Sequence, residues 1–401
     1  MKICAPLNGE EDLIPKLSRF KEVVEVYGKL TSDFVGGGKH SFQTPMITES
    51  KLRRAVKEAH SRGLEFNYLL NSSCLDNMEW TAFGQRKIRK MLDWVSSLGV
   101  EAVTVALPYL LELIKKRYSG LKVYVSDLAY VSTLRQARFW EDLGADRITL
   151  FNVELSRDFS AIKQIRNGVK CQLKLILNAN CLSGCPFYMH HANIAAHSSQ
   201  SGHRLKGFAI DYCRMRCRYQ QLIEPVNFIR STWIRPEDVH YYEKLGVDYF
   251  KVIDRGMKTE TIIYIIGAYV KREYKGNLLD LFPDPSKGIT FSKAHLLHKL
   301  RYFFRPFTVN VIKLRKFSGL LNNCVYIDNK KLDGFIEGIM GKDCSRLLCE
   351  DCGYCLDKAK ESILIDEELN IKMKARYAEC LQEVISGELF GYTGRSKDKV
   401  G

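Results

Sequence analysis

The sequence has no long apolar run. Its most hydrophobic helical stretch, Thr261 to Val270, is about ten residues, roughly half of what a helix needs to cross a bilayer. The opening MKICAPLNGEEDLIPKL carries acidic residues where an export signal would need an apolar segment of ~7–15 residues. The expectation is a cytoplasmic protein without a membrane span. Prolines are also few, 10 in 401 residues, and no low-complexity tract interrupts the chain. With 46% hydrophobic and 27% charged residues, a folded chain with a packed core is expected.

Several catalytic signatures are absent. No G-x-G-x-x-G follows the first apolar run, which weakens a dinucleotide-binding sheet. Gly36-Gly-Gly38-Lys39-His40-Ser41 lacks the P-loop spacing, since Asp33 and His40 stand where a Gly and a Ser or Thr are required. A glycine-rich turn there could still line a pocket through its backbone N–H groups. Neither H-E-x-x-H nor G-x-S-x-G occurs, so no standard proteolytic metal site or nucleophile is legible.

Cysteine, by contrast, is plentiful. There are 13, and in a reducing compartment clustered cysteines point to metal rather than disulfides. Cys4, Cys74, Cys171, Cys324 and Cys380 stand alone and read as small buried hydrophobes. The other eight form two groups. Cys181, Cys185, Cys213 and Cys217 make two C-x3-C pairs separated by 27 residues, and cysteines at i and i+4 share a helix face. A [4Fe–4S] cluster is the favoured occupant, with zinc or no metal as alternatives. Cys344, Cys349, Cys352 and Cys355 have a C-x4-C-x2-C-x2-C spacing, a ferredoxin-like grip that suits a second cluster or a structural zinc. One cluster or two are therefore expected.

Lys and Arg total 61 against 46 Asp and Glu, a formal charge of +15, which admits RNA, phosphorylated metabolites and other anions as partners. Up to about residue 280, short β-branched runs alternate with segments of helical period. Strands are predicted at Lys2–Cys4, Val23–Tyr27, Leu64–Leu70, Ala102–Ala106, Lys122–Val125, Arg147–Phe151, Gln172–Leu177 and Tyr249–Ile253. Several intervening helices end at a Gly. Eight such units suit a (β/α)8 TIM-like barrel over 1–280, with the first cysteine group in a loop at 178–220. Residues 281–401 would form a smaller, mainly helical Cys-rich region around the second motif at 344–355. Its basic aromatic stretch from Lys293 to Lys316 reads as an amphipathic helix with Phe303, Phe304 and Phe307 in the core, or as a surface where rings stack on RNA bases. The end, from Thr393 to Gly401, reads as a polar tail.

Charges cluster near the barrel's end. Arg230, Arg235, Arg255 and Lys258 could grip a carboxylate or phosphate, Asp254 beside them is a further site candidate, and Glu237 and Asp238 read more simply as acids at a helix start. His190 and His191, in the same loop as the first cysteines, are further candidates for substrate contact.

These pieces together resemble the collagenase-like peptidase family, grouped among peptidases of unassigned mechanism. The resemblance lies in Val26-Tyr-Gly28 and the following glycines, the Asn178-Ala-Asn-Cys181 strand end, the four cysteines, Trp233-Ile-Arg235-Pro-Glu237-Asp238, and Phe250-Lys251 through Lys258. It implies a barrel with a [4Fe–4S] cluster on Cys181, Cys185, Cys213 and Cys217. Better-understood relatives hydroxylate aromatic rings or RNA bases without molecular oxygen, some with prephenate as donor. The expectation is an iron–sulfur oxidoreductase or hydroxylase acting on an anionic or aromatic small molecule. Asp254 would move protons, and Arg255 and Lys258 would act beside it. Arg230, Arg235, His190 and His191 would hold substrate, and a second cluster would relay electrons from a donor protein or brace the C-terminal region. An RNA-modifying or RNA-binding protein and a peptidase are the alternatives.

Overall fold

A computed structural model describes residues 1–283, 297, 300–305, 307–317, 320, 324–344 and 346–391. Eight parallel strands close into a barrel in sequence order: β1 Lys2–Pro6, β2 Val23–Gly28, β3 Glu65–Leu70, β4 Ala102–Val105, β5 Lys122–Val125, β6 Arg147–Thr149, β7 Gln172–Ile176 and β8 Tyr249–Lys251. The ring is sealed by β1 against β8, with Lys2, Ile3 and Cys4 opposite Tyr249, Phe250 and Lys251. Both faces of each strand are covered: residues of the main apolar core such as Phe66, Val103, Ile148 and Leu173 alternate with buried polar or charged ones such as Asn67, Thr104, Arg147 and Lys174.

The helices begin where the side chains can cap them. Thr48 accepts from Lys51 N before the helix Glu49–Ser61, and Thr133 and Gln136 form a reciprocal capping box before Leu134–Asp142. They end at glycines: Gly63 and Gly144 have φ of +72° and +104°, a region a side chain would strain.

The barrel interior is polar. Glu25 on β2 meets Arg147 on β6, across the barrel, at 2.6 Å. Its other oxygen accepts from Asn67 of β3 at 2.9 Å, and Asn67 accepts from Thr104 of β4 at 2.9 Å. Arg147 is sandwiched by the rings of Tyr124 and Tyr249, 4.0 and 3.4 Å from their centroids, and donates to Gln172. Burial works against ionisation of Glu25, but Lys174 and Arg147 overcome it and hold the carboxyl below its ordinary range.

The connection from β7 to β8 is the longest in the barrel, and its helices Tyr188–Ser199 and Tyr212–Ile223 bear cavity-lining residues at the barrel's C-terminal end. Beyond β8 and the helix Thr259–Lys271, the chain forms a small antiparallel pair, β9 Val325–Ile327 with β10 Ile363–Ile365, and the helices Phe335–Met340, Tyr354–Ser362 and Glu367–Ile385. This region is helical and Cys-rich, and among the described residues its core is shared: Leu332, Phe335, Met373 and Leu381 belong to the same apolar cluster as the barrel.

Two expectations need correction here. Phe304 and Phe307 are not core residues but 65% and 98% exposed, because Tyr302 and Phe303 supply the inward contacts of their turn, against Phe42 and Ala209. Cys74 and Cys171 are half-buried rather than buried, while Cys4, Cys324 and Cys380 are core. Lys293 and the tail from Thr393 lie outside the described residues. Among the described residues, no helix is long and apolar enough to cross a membrane.

Candidate active site

At the C-terminal end of the barrel, where catalytic groups of this architecture gather, a cavity of about 290 Å³ is lined by all four cysteines of the first group. Cys181 follows β7, Cys185 sits in the turn beyond it, and Cys213 and Cys217 lie one turn apart on the helix Tyr212–Ile223. Asp211 caps that helix by accepting from Arg214 N at 3.1 Å, which fixes the first turn and so the direction of both thiols. Burial raises all four thiol pKa values, that of Cys213 to about 12; neighbouring thiols raise Cys181, Cys185 and Cys213 further, whereas Arg218 and Arg214 act the other way on Cys217. Four thiols held out of water around one cavity are a fitting donor set for a metal centre, whose charge would favour their thiolate forms.

The same cavity is rich in charge. Lys39, Arg214, Arg218, Lys251 and Arg255 line it together with three carboxylates, Asp127, Asp211 and Asp254. Arg255 is buried, and its charge is disfavoured first by burial, with Tyr27, Tyr68 and Asp33 acting the other way. Lys251, the last residue of β8, lies 4.2 Å over the Tyr27 ring. Burial, then the charges of Lys174 and Arg255, lower its pKa to about 7, so near neutrality it can both hold and release a proton. Asp127 accepts from the Tyr188 hydroxyl, and burial raises its pKa. Tyr27, Phe187 and Tyr188 add aromatic surface.

The structure sorts the predicted residues. Asp254, Arg255 and His191 line the cavity with the four cysteines. Asp254, however, is ion-paired with Lys39 and accepts from Gly256 N at 2.7 Å, so it holds Lys39 rather than standing free as a base. Arg235 is not a substrate residue: its guanidinium forks onto Asp238 at 2.9 and 3.0 Å and reaches the Asn329 carbonyl and Asp333 of the C-terminal region. Arg230 lies away from the mouth, in a recess with Cys344, Cys349, Cys352 and Cys355. Lys258 is exposed where the helix Thr259–Lys271 begins, and His190 is exposed on its own helix; neither lines the cavity. Glu237 and Asp238 do stand at a helix start.

The glycine turn contributes differently than expected. The N–H groups of Gly36, Gly37 and Gly38 are taken by Asp33, Ser199 and Asn71, and it is the side chains of Lys39 and His40 that reach the cavity. A Cβ at Gly36 would stand 2.8 Å from the Ala196 carbonyl oxygen at a φ of +80°, so only glycine lets the turn approach the overlying helix this closely. Ser198, His40 and Asp211 lie in a row, but Ser198 is 2% exposed and its hydroxyl is used by the Ala195 carbonyl. No substrate carbonyl can reach it, so the row is not a hydrolytic triad.

The second cysteine group lines a recess of about 30 Å³ with Arg230 and Tyr354. Arg157 lies beside it, held by the carbonyls of Ile229 and Ser231 and stacked on Trp233 and Phe335. The Nε atoms of Arg157 and Arg230 are buried without hydrogen-bond partners. Two such cations beside four thiols suit an anionic tetrathiolate centre, whether zinc or a cluster.

A TIM barrel whose mouth holds four cysteines among five cationic side chains has a cavity suited to a metal and to an anion. The chain belongs to peptidase family U32, whose model matches residues 34–272. An uncharacterized protease of Methanocaldococcus jannaschii is 31% identical over 347 residues, 86% of this chain and 90% of that protein. A solved U32 peptidase is 23% identical, covering 63% of this chain and 92% of its own, with a TM-score of 0.48.

Proposed function

We propose that the chain is an iron–sulfur enzyme that binds an anionic, ring-bearing substrate in the barrel mouth and carries out an oxygen-independent hydroxylation or a related redox step. One observation carries this reading: Cys181, Cys185, Cys213 and Cys217 share one cavity with Lys39, Lys251 and Arg255. A cluster on those cysteines would supply electron transfer or Lewis-acid activation next to the bound substrate. The chain's own residues do the rest. Arg255 anchors the substrate's carboxylate or phosphate. Lys251 Nζ, poised near neutrality, gives or takes the proton at the reacting centre. Phe187 and Tyr188 pack against a ring, and the two helices of the β7–β8 connection exclude water. The peptidase name of the family has no support from a nucleophile, because Ser198 is buried and spent.

The second cysteine group, flanked by Arg157 and Arg230, is in this reading a second metal centre, a cluster or zinc, bracing the C-terminal region or passing electrons from a donor protein. The exposed rings of Phe304 and Phe307 favour one other reading, an RNA substrate stacked outside the mouth.

Purification without oxygen, with iron and sulfide counts and a visible spectrum, tests the proposal. About eight irons are expected for two cubane clusters and about four for one, with Cys181→Ala losing the mouth's share. Colourless protein without iron would overturn it.

A further inference from the structure

We infer a mononuclear divalent-metal site at the mouth, built by His40, His191 and Asp211 and separate from the cysteine centre. One ligand atom from each lies within 4.8 Å of the others. His191 Nε2 is 3.3 Å from Asp211 Oδ1, and His40 Nε2 is 3.4 Å from Oδ2. Both distances are long for a charge-assisted hydrogen bond, which would be about 2.7–2.9 Å. They equal the spacing of two atoms that each sit about 2.1 Å from a shared metal at an angle near 90–110°, roughly 3.0–3.4 Å.

The proton arrangement at His40 points the same way. Ser198 Oγ donates to the Ala195 carbonyl at 3.1 Å, so at 2.6 Å it accepts from Nδ1–H of His40. That tautomer leaves a lone pair on Nε2, buried, without a hydrogen-bond partner and aimed at a carboxylate oxygen. A divalent ion seated between these two acceptors would satisfy both. The Ser198 bond is also the outer-shell contact that metal-ligating histidines use to fix their ring, and stacking on Phe42, 17° from parallel at 5.0 Å, holds the plane. Lys39, the neighbouring cation, is spent on Asp254 and does not fill the gap.

Two imidazoles and one carboxylate select a first-row divalent ion, and three protein ligands leave further positions for substrate or water. Since both His191 and Asp211 line the cavity, those positions open onto the bound anion. The ion would serve as a second electrostatic anchor for it.

Manganese(II) is the probe, because it is a hard ion that ignores thiolates and its free form is counted by electron paramagnetic resonance. Protein carrying its metal centres is expected to bind one manganese per chain. His191→Ala removes a half-exposed ligand, and Asp211→Asn keeps an oxygen to cap its helix; each should weaken binding by at least about tenfold. His190→Ala, one residue away and exposed, should bind as the parent does. Absence of binding, or equal binding by His191→Ala, would overturn the site. Cys181→Ala should keep its manganese, so failure of the iron–sulfur reading and failure of this one give different results.

Discussion

The barrel holds buried charges at two levels, and they are treated in opposite ways. Inside the ring, Glu25, Arg147 and Lys174 are matched, with Asn67, Gln172 and two tyrosine rings completing the set. At the mouth, Arg255 is buried and Lys251 half-buried, and both charges are set against burial, that of Lys251 against Arg255 as well. The first arrangement is complete without a ligand and can only serve the fold. The second is complete only when something anionic arrives, which is the physical meaning of a binding site.

The largest way to break this contrast is at the inner level. Glu25→Ala leaves Arg147 buried and unpaired and should cost about 3–5 kcal/mol of stability, read as a lowered denaturation midpoint. Combining it with Arg147→Met should recover part of the loss, because the orphaned charge goes too. At the mouth the expected loss is in binding instead. Arg255→Ala should weaken phosphate or benzoate binding, measured by calorimetry, by about 1.5–3 kcal/mol, roughly tenfold to a hundredfold. Lys258→Ala, exposed and outside the cavity, should change stability by no more than about 0.5 kcal/mol.

The smallest effect is in pH dependence. Lys251 has a folded pKa near 7 against an ordinary 10.5, so on lowering the pH the unfolded chain takes up its proton first. Its neutral, folded form is therefore favoured at high pH, and that advantage is lost as pH falls from about 10.5 to about 7. Lys251→Met should flatten this part of the stability curve, as urea melts at pH 7 and pH 9.5 would reveal. Identical slopes would mean that Lys251 titrates normally and that the mouth is wetter than its burial implies.

Much of the barrel was legible because its cues are local. β-branched runs, threonine caps and terminal glycines each act within a few residues, and strand ends moved by no more than two. The two cysteine groups were legible for the same reason, as spacing alone marks them. What sequence misread depends on distant partners. Arg235 looked like a substrate clamp, but Asn329 and Asp333, more than ninety residues on, take part of its guanidinium. Arg230 looked like a mouth residue until the chain's turn after the helix Tyr212–Ile223 carried it to the other cysteines. His40 and Asp211 are 171 positions apart in the chain, and no pattern around either announces the other. Lys251 carried a hint, a lysine ending an apolar strand, but only closure of the ring buries it.

The contacts of Arg235 make the C-terminal extension an internal ligand of the barrel. A free ligand can leave; this one is tethered, always at saturating local concentration, and it answers a cation that the barrel wall cannot satisfy through Asp238 alone. The barrel and its extension are thereby bound to a shared fate: neither can drift in sequence or be cut away at residue 280 without exposing a demand for charge that only the other was built to meet.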